Sequence, residues 1–470
     1  MSHKKDAIPK HIMIAAWSIA LAAIAPMLDS TMINIAIKQL NSTFHTSLDV
    51  IQWGVTGYVL ALATTVSLAG WLMNRFNSKR VFIGSVILFG VISLLVGLSW
   101  NAGSFIFFRI IQGSSAGVIT TLMSTLLVKV AGREHIGKVM AIVSTPMIIG
   151  PIFGPVLGGF IIHYLSWQYI FYLNIVITII ITPMMLKVLP SFQPFKPESR
   201  FDLTGVALIA LISIAFIYGV STAANQATFM NLTTLVCLGV GLVLILSYIL
   251  YGLRRGEHLV LPLSLFKDKH FSIAGVGLFL ANIAILGPLI IFPIFFQIFK
   301  HYTEIQAALA LMPQGIGMLV TRPLIGKWID RMGARVIVLI SVVLTIIATI
   351  PFTLIGPHVS IVWLSLFLFI RGLCVGGIML PLTTDVYVTL DDSQLPPAGV
   401  GVNMIENIGS SFGSTIMASV VAMFVTQFGT QLSHQIAAYH LAFLVSVVIL
   451  ILCIRDSLDI VTDSWFLFEY

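Results

Sequence analysis

The stretch VFIGSVILFGVISLLVGLS, residues 81–99, carries no charge across its nineteen positions, and Lys79 and Arg80 stand just before it. A helix rises 1.5 Å per residue, so this run is about 28 Å long, close to the hydrocarbon thickness of a bilayer. Apolar runs of this kind recur at 12–37, 49–73, 81–99, 104–128, 138–162, 169–189 and 203–221. They continue at 231–252, 272–298, 304–326, 335–355, 359–383, 398–427 and 438–455. The reading is an all-α integral membrane protein with about fourteen transmembrane helices. Composition agrees, with 58% hydrophobic and only 9% charged residues in 470. Soluble domains carry about 25% charged residues, so no water-soluble fold fits.

A net charge of +7 can point to nucleic acid or to lipid headgroups. Here the basic residues sit at alternate helix ends, which is the orientation signal of a membrane protein and argues against nucleic acid. Residues 1–11 are short and basic (Lys4, Lys5, Lys10), and the apolar run behind them is too long for the core of a cleaved signal. That start and an even number of spans place both termini in the cytoplasm, in a multi-pass protein of the cell membrane. Arg75, Lys79, Arg80, Arg133, Lys138, Lys187, Lys196, Arg200, Arg254, Arg255, Lys267, Lys269, Lys327, Arg331 and Arg335 then fall on the inner side. Only Lys38 and Lys300 fall outside. Cys237, Cys374 and Cys453 lie in apolar spans and read as small packing residues.

The two longest inner linkers, Pro190–Asp202 and Arg254–His270, divide the chain. The division is 1–190, a six-helix bundle; 191–270, an inserted helix pair; 271–456, a second six-helix bundle; and 457–470, a cytosolic tail. The bundles repeat each other weakly. Gly70-x-Leu72 with Arg75 ends the second helix of the first, and Gly326 with Asp330, Arg331 and Gly333 follows the corresponding helix of the second. Arg109, Gly113 and Gly117 are echoed by Arg371, Gly372 and Gly376. Two repeats with a cleft between them form a transporter architecture with its substrate near the midplane.

Several motifs along these helices resemble the major facilitator superfamily, in its fourteen-helix drug:proton antiporter branch. Leu28-Asp29-Ser30-Thr31-Met32-Ile33-Asn34-Ile35-Ala36 resembles the first-helix signature, and Gln52-Trp53 with Tyr58 and Leu60 the start of the second helix. Arg109-Ile110-Ile111-Gln112-Gly113 looks like the fourth-helix motif, and Gly150, Gly154, Pro155, Gly158 and Gly159 like the antiporter motif of the fifth. Two departures stand out. Asn74 and Asn77 occupy positions where the family has Asp and Gly, both kept in the second copy as Asp330 and Gly333. Glu406 stands where relatives often carry a basic or neutral residue. The resemblance implies alternating access, and it gives Arg109 a part in proton coupling and Gly70, Arg75, Asp330 and Arg331 a part in gating.

The residues themselves suggest where the chemistry lies. Asp29 sits within an apolar span, where a charge costs at least ~2.5 kcal/mol, so proton or cation binding is one reading and a hydrogen-bonded structural acid the other. Asn403, Glu406, Asn407, Ser410 and Ser414 fall at helical spacing and make one polar stripe. Its readings are cation binding at Glu406 or hydrogen bonding between helices. Arg109 is a candidate counter-ion, with Gln112 on its side of the helix, and Arg371 reads as structural. Gly150, Gly154 and Gly158 make a smooth face, bent by Pro151 and Pro155, suited to the interface on which two halves rock. Trp53, Tyr58, Gln112, Asn403, Asn407, Phe292 and Gln297 are candidate cavity residues, since aromatic rings attract organic cations, although packing is the blander reading of each ring. Asp385 is expected to be solvated.

Gly326-Lys327 is followed by Trp328, so no phosphate-binding loop is present. No metal-ligand spacing and no nucleophile–base pair suggest a cofactor or an enzyme. The expectation is a proton-coupled antiporter exporting lipophilic, often cationic small molecules. The alternatives are a proton-coupled porter for one metabolite, or a receptor or scaffold that does not transport.

Overall fold

A computed structural model describes residues 9–459 except 144, 196, 199–200, 227, 256–258, 357–358 and 430. The apolar runs are helical. The first six helices are α1 (Lys10–Phe44), α2 (Leu48–Arg75), α3 (Ser78–Gly97), α4 (Ala102–Val143), α5 (Thr145–Tyr164) and α6 (Gln168–Val188). Next come α7 (Leu203–Gln226) and α8 (Leu232–Arg255), then α9 (Lys269–Lys300) and the short α10 (Glu304–Ala310). The chain closes with α11 (Met312–Thr349), α12 (Ile361–Val388), α13 (Leu395–Phe428) and α14 (Leu432–Asp459). Among the described residues, twelve segments are long and apolar enough to cross a membrane. The all-α membrane fold expected from the sequence is what the chain adopts.

The helix ends follow from local chemistry. Asn77 caps α3 by accepting from the Arg80 amide at 3.3 Å, and Asp268 caps α9 by accepting from Phe271 at 2.9 Å. At Gly132 the backbone turns left-handed with φ 66°, which breaks α4 before the next helical stretch begins. Several boundaries differ from expectation: α1 runs on to Phe44, and the loop expected at 129–137 falls inside α4, which runs to Val143. The spans expected at 304–326 and 335–355 become α10 and one long α11, because no proline interrupts residues 324–335 and each of its two glycines costs a helix only about 1 kcal/mol. The helix α14 also runs through residues 457–459, the start of the expected tail.

Packing sorts the helices into two groups. In the first, α1 packs on α4, α5 and α6, while α2 and α3 pack on α4. In the second, α9 packs on α12, α13 and α14, while α11 packs on α12. The repeat is visible in the backbone contacts. Gly113 and Gly117 of α4 lie against the Tyr58 and Leu62 carbonyls of α2, and Gly372 of α12 lies in the same way against the Gln314 carbonyl of α11. No side chain fits at such a crossing. The groups meet where α13 touches α2 and α4, where α4 touches α11 and α12, and where α5 touches α10 and α11.

The inserted pair is not symmetric. Helix α7 lies against both α2 and α13, one from each group, whereas α8 packs on α7 and on the turn at Leu263–Lys267. Thr415 of α13 donates to the Val220 carbonyl of α7 at 3.0 Å, and Trp53 of α2 stacks on Tyr218 of α7 with ring centroids 6.1 Å apart. So α7 covers the seam between the groups.

Candidate functional site

Asp29 is fully buried, and three residues from other helices hold its carboxylate. Arg109 of α4 forms an ion pair with Oδ2. The Asn174 amide of α6 donates to Oδ1 at 2.8 Å, and Gln112 of α4 donates to the same oxygen at 3.2 Å. Gln112 also donates to Ser93 of α3 at 2.8 Å and accepts from Arg109 at 2.6 Å. The Nε of Arg109 donates to the Gly54 carbonyl of α2 at 3.1 Å, and its guanidinium lies 4.1 Å from the Tyr58 ring centroid. One network therefore ties α1, α2, α3, α4 and α6 together. Three donors thus converge on one buried carboxylate, and the one from Arg109 is charge-assisted. Sequence reading missed Asn174 and Ser93; the signal was an amide alone within the apolar run of α6.

The second group has an arginine without the acid. Arg371 of α12 is fully buried, donates to Gln314 at 3.0 Å and to the Ile285 carbonyl at 3.2 Å, and faces the Phe292 ring at 5.4 Å. Pro288 has no N–H, so the Ala284 carbonyl one turn earlier lacks its helical donor. Ser446 of α14 donates to that carbonyl at 2.7 Å, and Arg371 approaches it at 3.4 Å. The cation is thus solvated by dipoles.

Helix α13 carries the second acid. Gly401, Gly409 and Gly413 turn toward α9, where added Cβ atoms would meet Phe271, Asn282 and Ile283. Gly399, Asn403, Glu406 and Ser410 are spaced four, three and four apart, so they share another face. That face looks at the first group: a Cβ on Gly399 would lie 2.5 Å from Thr125 Oγ1 of α4. Asn403 donates to the Gly399 carbonyl at 2.9 Å, Asn407 to Asn403 at 2.8 Å and Ser410 to Asn407 at 3.0 Å. Among the described residues, these amides and hydroxyls donate along their own helix and do not bridge to others. Glu406 is half-buried, and no described residue donates a hydrogen bond to it. Beside the stripe, Asn407, Met404 and Ile408 line a narrow gap with Ala63 and Val66 of α2 and Ser213 and Ile217 of α7.

Other expected site residues fall in different places. Tyr58 and Phe292 are buried in the cores of their groups, each against a buried arginine. Trp53 is 46% exposed beside α7, and Gln297 is half-buried. Gly150 and Gly158 of α5 lie against Met27 and Met32 of α1, and Gly154 lies against Thr31. The glycine face therefore joins two helices of the same group and not the two groups, because Met27 and Thr31 repeat at the matching spacing of four. The Thr31 hydroxyl seals the contact by donating to the Gly150 carbonyl at 3.1 Å. Gly70 does stand between groups, since a Cβ there would lie 2.8 Å from Val400 of α13. Arg75 is exposed and donates to the Pro197 carbonyl of the linker after α6. Asp385, expected in solvent, is half-buried and faces His270 at 3.3 Å. The side chains of Pro155, Asp330 and Arg331 lie outside the described residues.

Comparison with known proteins places this geometry. The sequence model of the Major Facilitator Superfamily matches residues 19–405. Over 408 residues the chain is 29% identical to the multidrug resistance protein B homolog of Mycobacterium tuberculosis, covering 86% of this chain and 75% of that protein. It is 30% identical over 398 residues to the probable multidrug resistance protein EmrY of Escherichia coli, covering 84% and 77%. Two solved structures share the fold. The human organic anion transporter MFSD10 (TETRAN) superposes with a TM-score of 0.63 at 12% identity, over 94% of this chain and 99% of that one. The proton:xylose symporter XylE gives 0.60 at 15% identity, over 94% and 95%.

Proposed function

Because the chain belongs to the Major Facilitator Superfamily, we propose that it exports hydrophobic, often cationic compounds in exchange for protons, by alternating access between two bundles. In this reading residues 1–190 and 271–456 rock against each other, 191–270 is an insert between them, 457–470 is a cytosolic tail, and both termini face the cytoplasm. The observation that carries the proposal is Glu406, an acid to which no described residue donates a hydrogen bond, on the polar face of α13 that meets the other group at Gly399. The multidrug relatives supply the substrate class.

The two acids take different parts. Asp29 is neutralised by Arg109, so it serves as a fixed charge that holds the first bundle rigid as it moves. No described residue pairs with Glu406 in this way, so in this reading it is the acid that exchanges ligands. With the cleft open to the cytoplasm, its carboxylate binds a cationic compound or is left ionised for one. With the cleft open outward, a proton takes the carboxylate and the cation leaves. The protonated acid is neutral, which removes the cost of carrying a bare charge back through the bilayer.

The test is efflux from proteoliposomes under an imposed pH gradient. Glu406→Gln should abolish gradient-driven efflux of a cationic dye while leaving counterflow of an uncharged substrate. Gradient-driven efflux at the wild-type rate in this variant would remove Glu406 from coupling. Binding without any counterflow in the wild type would point to a receptor or scaffold.

A further inference from the structure

After α8 the described chain returns to the bundle as Leu259-Val260-Leu261, with exposures of 7%, 9% and 7%. Each of the three meets a glycine on a different helix. Leu259 Cδ1 lies 2.9 Å from where a Cβ on Gly252 of α8 would be, Val260 Cγ1 lies 3.9 Å from that of Gly70 on α2, and Leu261 Cδ1 lies 3.3 Å from that of Gly401 on α13. The helices α2 and α13 belong to opposite groups. Two adjacent side chains of one linker therefore span the seam, beside the contact of Gly70 with Val400 and at the basic end where α2 closes with Arg75 and Lys267 precedes α9.

The segment is also pinned by its backbone. The Tyr248 hydroxyl of α8 donates to the Leu261 carbonyl at 3.0 Å and accepts from the Leu261 amide at 3.1 Å. Both hydrogen bonds are buried, and together they fix one peptide group on each side of the same Cα. At the same end Tyr251 donates to Asp202 at 2.6 Å, which closes the α7–α8 hairpin against the other linker.

We infer that Leu259–Leu261 is a latch across the basic end of the bundle, and that α8 holds it shut through Tyr248. That end opens only when Val260 and Leu261 leave Gly70 and Gly401. The two inserted helices thereby divide the work, with α7 covering the seam along its length and α8 controlling the latch at one end. The inference rests on the rocking motion proposed above only in requiring that the basic end can open.

Labelling of a buried cysteine tests it without substrate or gradient, so a failure of the transport assay leaves the readout intact. In a background with Cys237, Cys374 and Cys453 replaced by Ala, Thr125→Cys is introduced on α4. Thr125 is fully buried where Gly399 of α13 crosses it, so its reaction with N-ethylmaleimide in detergent solution reports opening of this end. Tyr248→Phe removes both hydrogen bonds and keeps the ring; Val260→Ala removes the methyl groups beside Gly70. Tyr248→Phe should speed labelling about thirtyfold, the effect of two net hydrogen bonds, and Val260→Ala about fifteenfold, the effect of two methyl groups lost from a buried contact. Thr234→Ala, which removes an α7–α8 hydrogen bond of 2.9 Å away from the linker, should leave the rate unchanged. Wild-type rates in both latch variants would overturn the inference. So would equal acceleration by Thr234→Ala, which would mean general loosening of the helix pair.

Discussion

Removing the charge of Asp29 strands the Arg109 guanidinium in a site with no exposure. Breaking a buried pair from one side costs about 3–5 kcal/mol, because the remaining charge is uncompensated. Asp29→Asn should therefore lower the thermal unfolding temperature of the purified protein sharply, and Asp29→Asn combined with Arg109→Gln should recover part of the loss. Equal destabilisation by the single and double variants would mean that the pair is not the unit that matters. Glu406→Gln has no such consequence, since no described partner is left behind, and its unfolding temperature should stay near that of the wild type while coupling is lost. Both acids were legible in the sequence as charges in apolar runs. What was not legible was which one had a partner, because Asn174 lies 145 residues from Asp29 and meets it only in the folded bundle. The same limit applied to Tyr58 and Phe292: an aromatic residue in an apolar run looks alike whether its ring covers an arginine or faces a cleft.

At the level of elements, a glycine's effect depends on what stands opposite it. Gly84 of α3 has nothing within 4 Å of an added Cβ, whereas Gly154 of α5 is pressed against Thr31. Gly→Ala in a helix interior gains about 1 kcal/mol from propensity alone, and overpacking a tight contact costs about 1–3 kcal/mol. Gly84→Ala should raise the unfolding temperature and Gly154→Ala should lower it. Thermal unfolding of the two variants in the same detergent checks this, and two shifts of the same sign would contradict it. Asn77 gives a second test. It replaces the family's glycine, yet it caps α3 and donates to Ser191 of the linker at 2.8 Å. Asn77→Ala should cost about 1 kcal/mol, measurable in the same experiment. Spacing in the sequence showed that α5 had a smooth face. It did not show which helix the face would meet, since any helix with small or matching side chains could approach it. The long α11 was missed for a related reason: charged residues and glycines mark a membrane boundary by composition, yet a helix can run on through them at modest cost.

For the whole molecule, the number of exchangeable acids fixes how much charge each cycle moves. The inward and outward states exchange one proton for one substrate if Glu406 is the single exchanging carboxylate and Asp29 stays paired. A monovalent cation leaving as one proton enters moves no net charge. The membrane potential does work only on net charge, about 2.3 kcal/mol per elementary charge per 100 mV. In proteoliposomes whose lumen stands for the cytoplasm, with the pH gradient held constant, an interior-negative potential of about 100 mV set by potassium and valinomycin should leave monocation efflux unaltered. For a divalent cation the same cycle carries one positive charge outward against that potential. Its steady-state concentration ratio should fall by about fiftyfold, since each 1.4 kcal/mol is a factor of ten. A potential-dependent monocation efflux would show that a second proton travels in each cycle. Asp29 would then have to leave Arg109 at some point in that cycle, and the rigid first bundle inferred from its five tied helices would have to loosen as the transporter turns over.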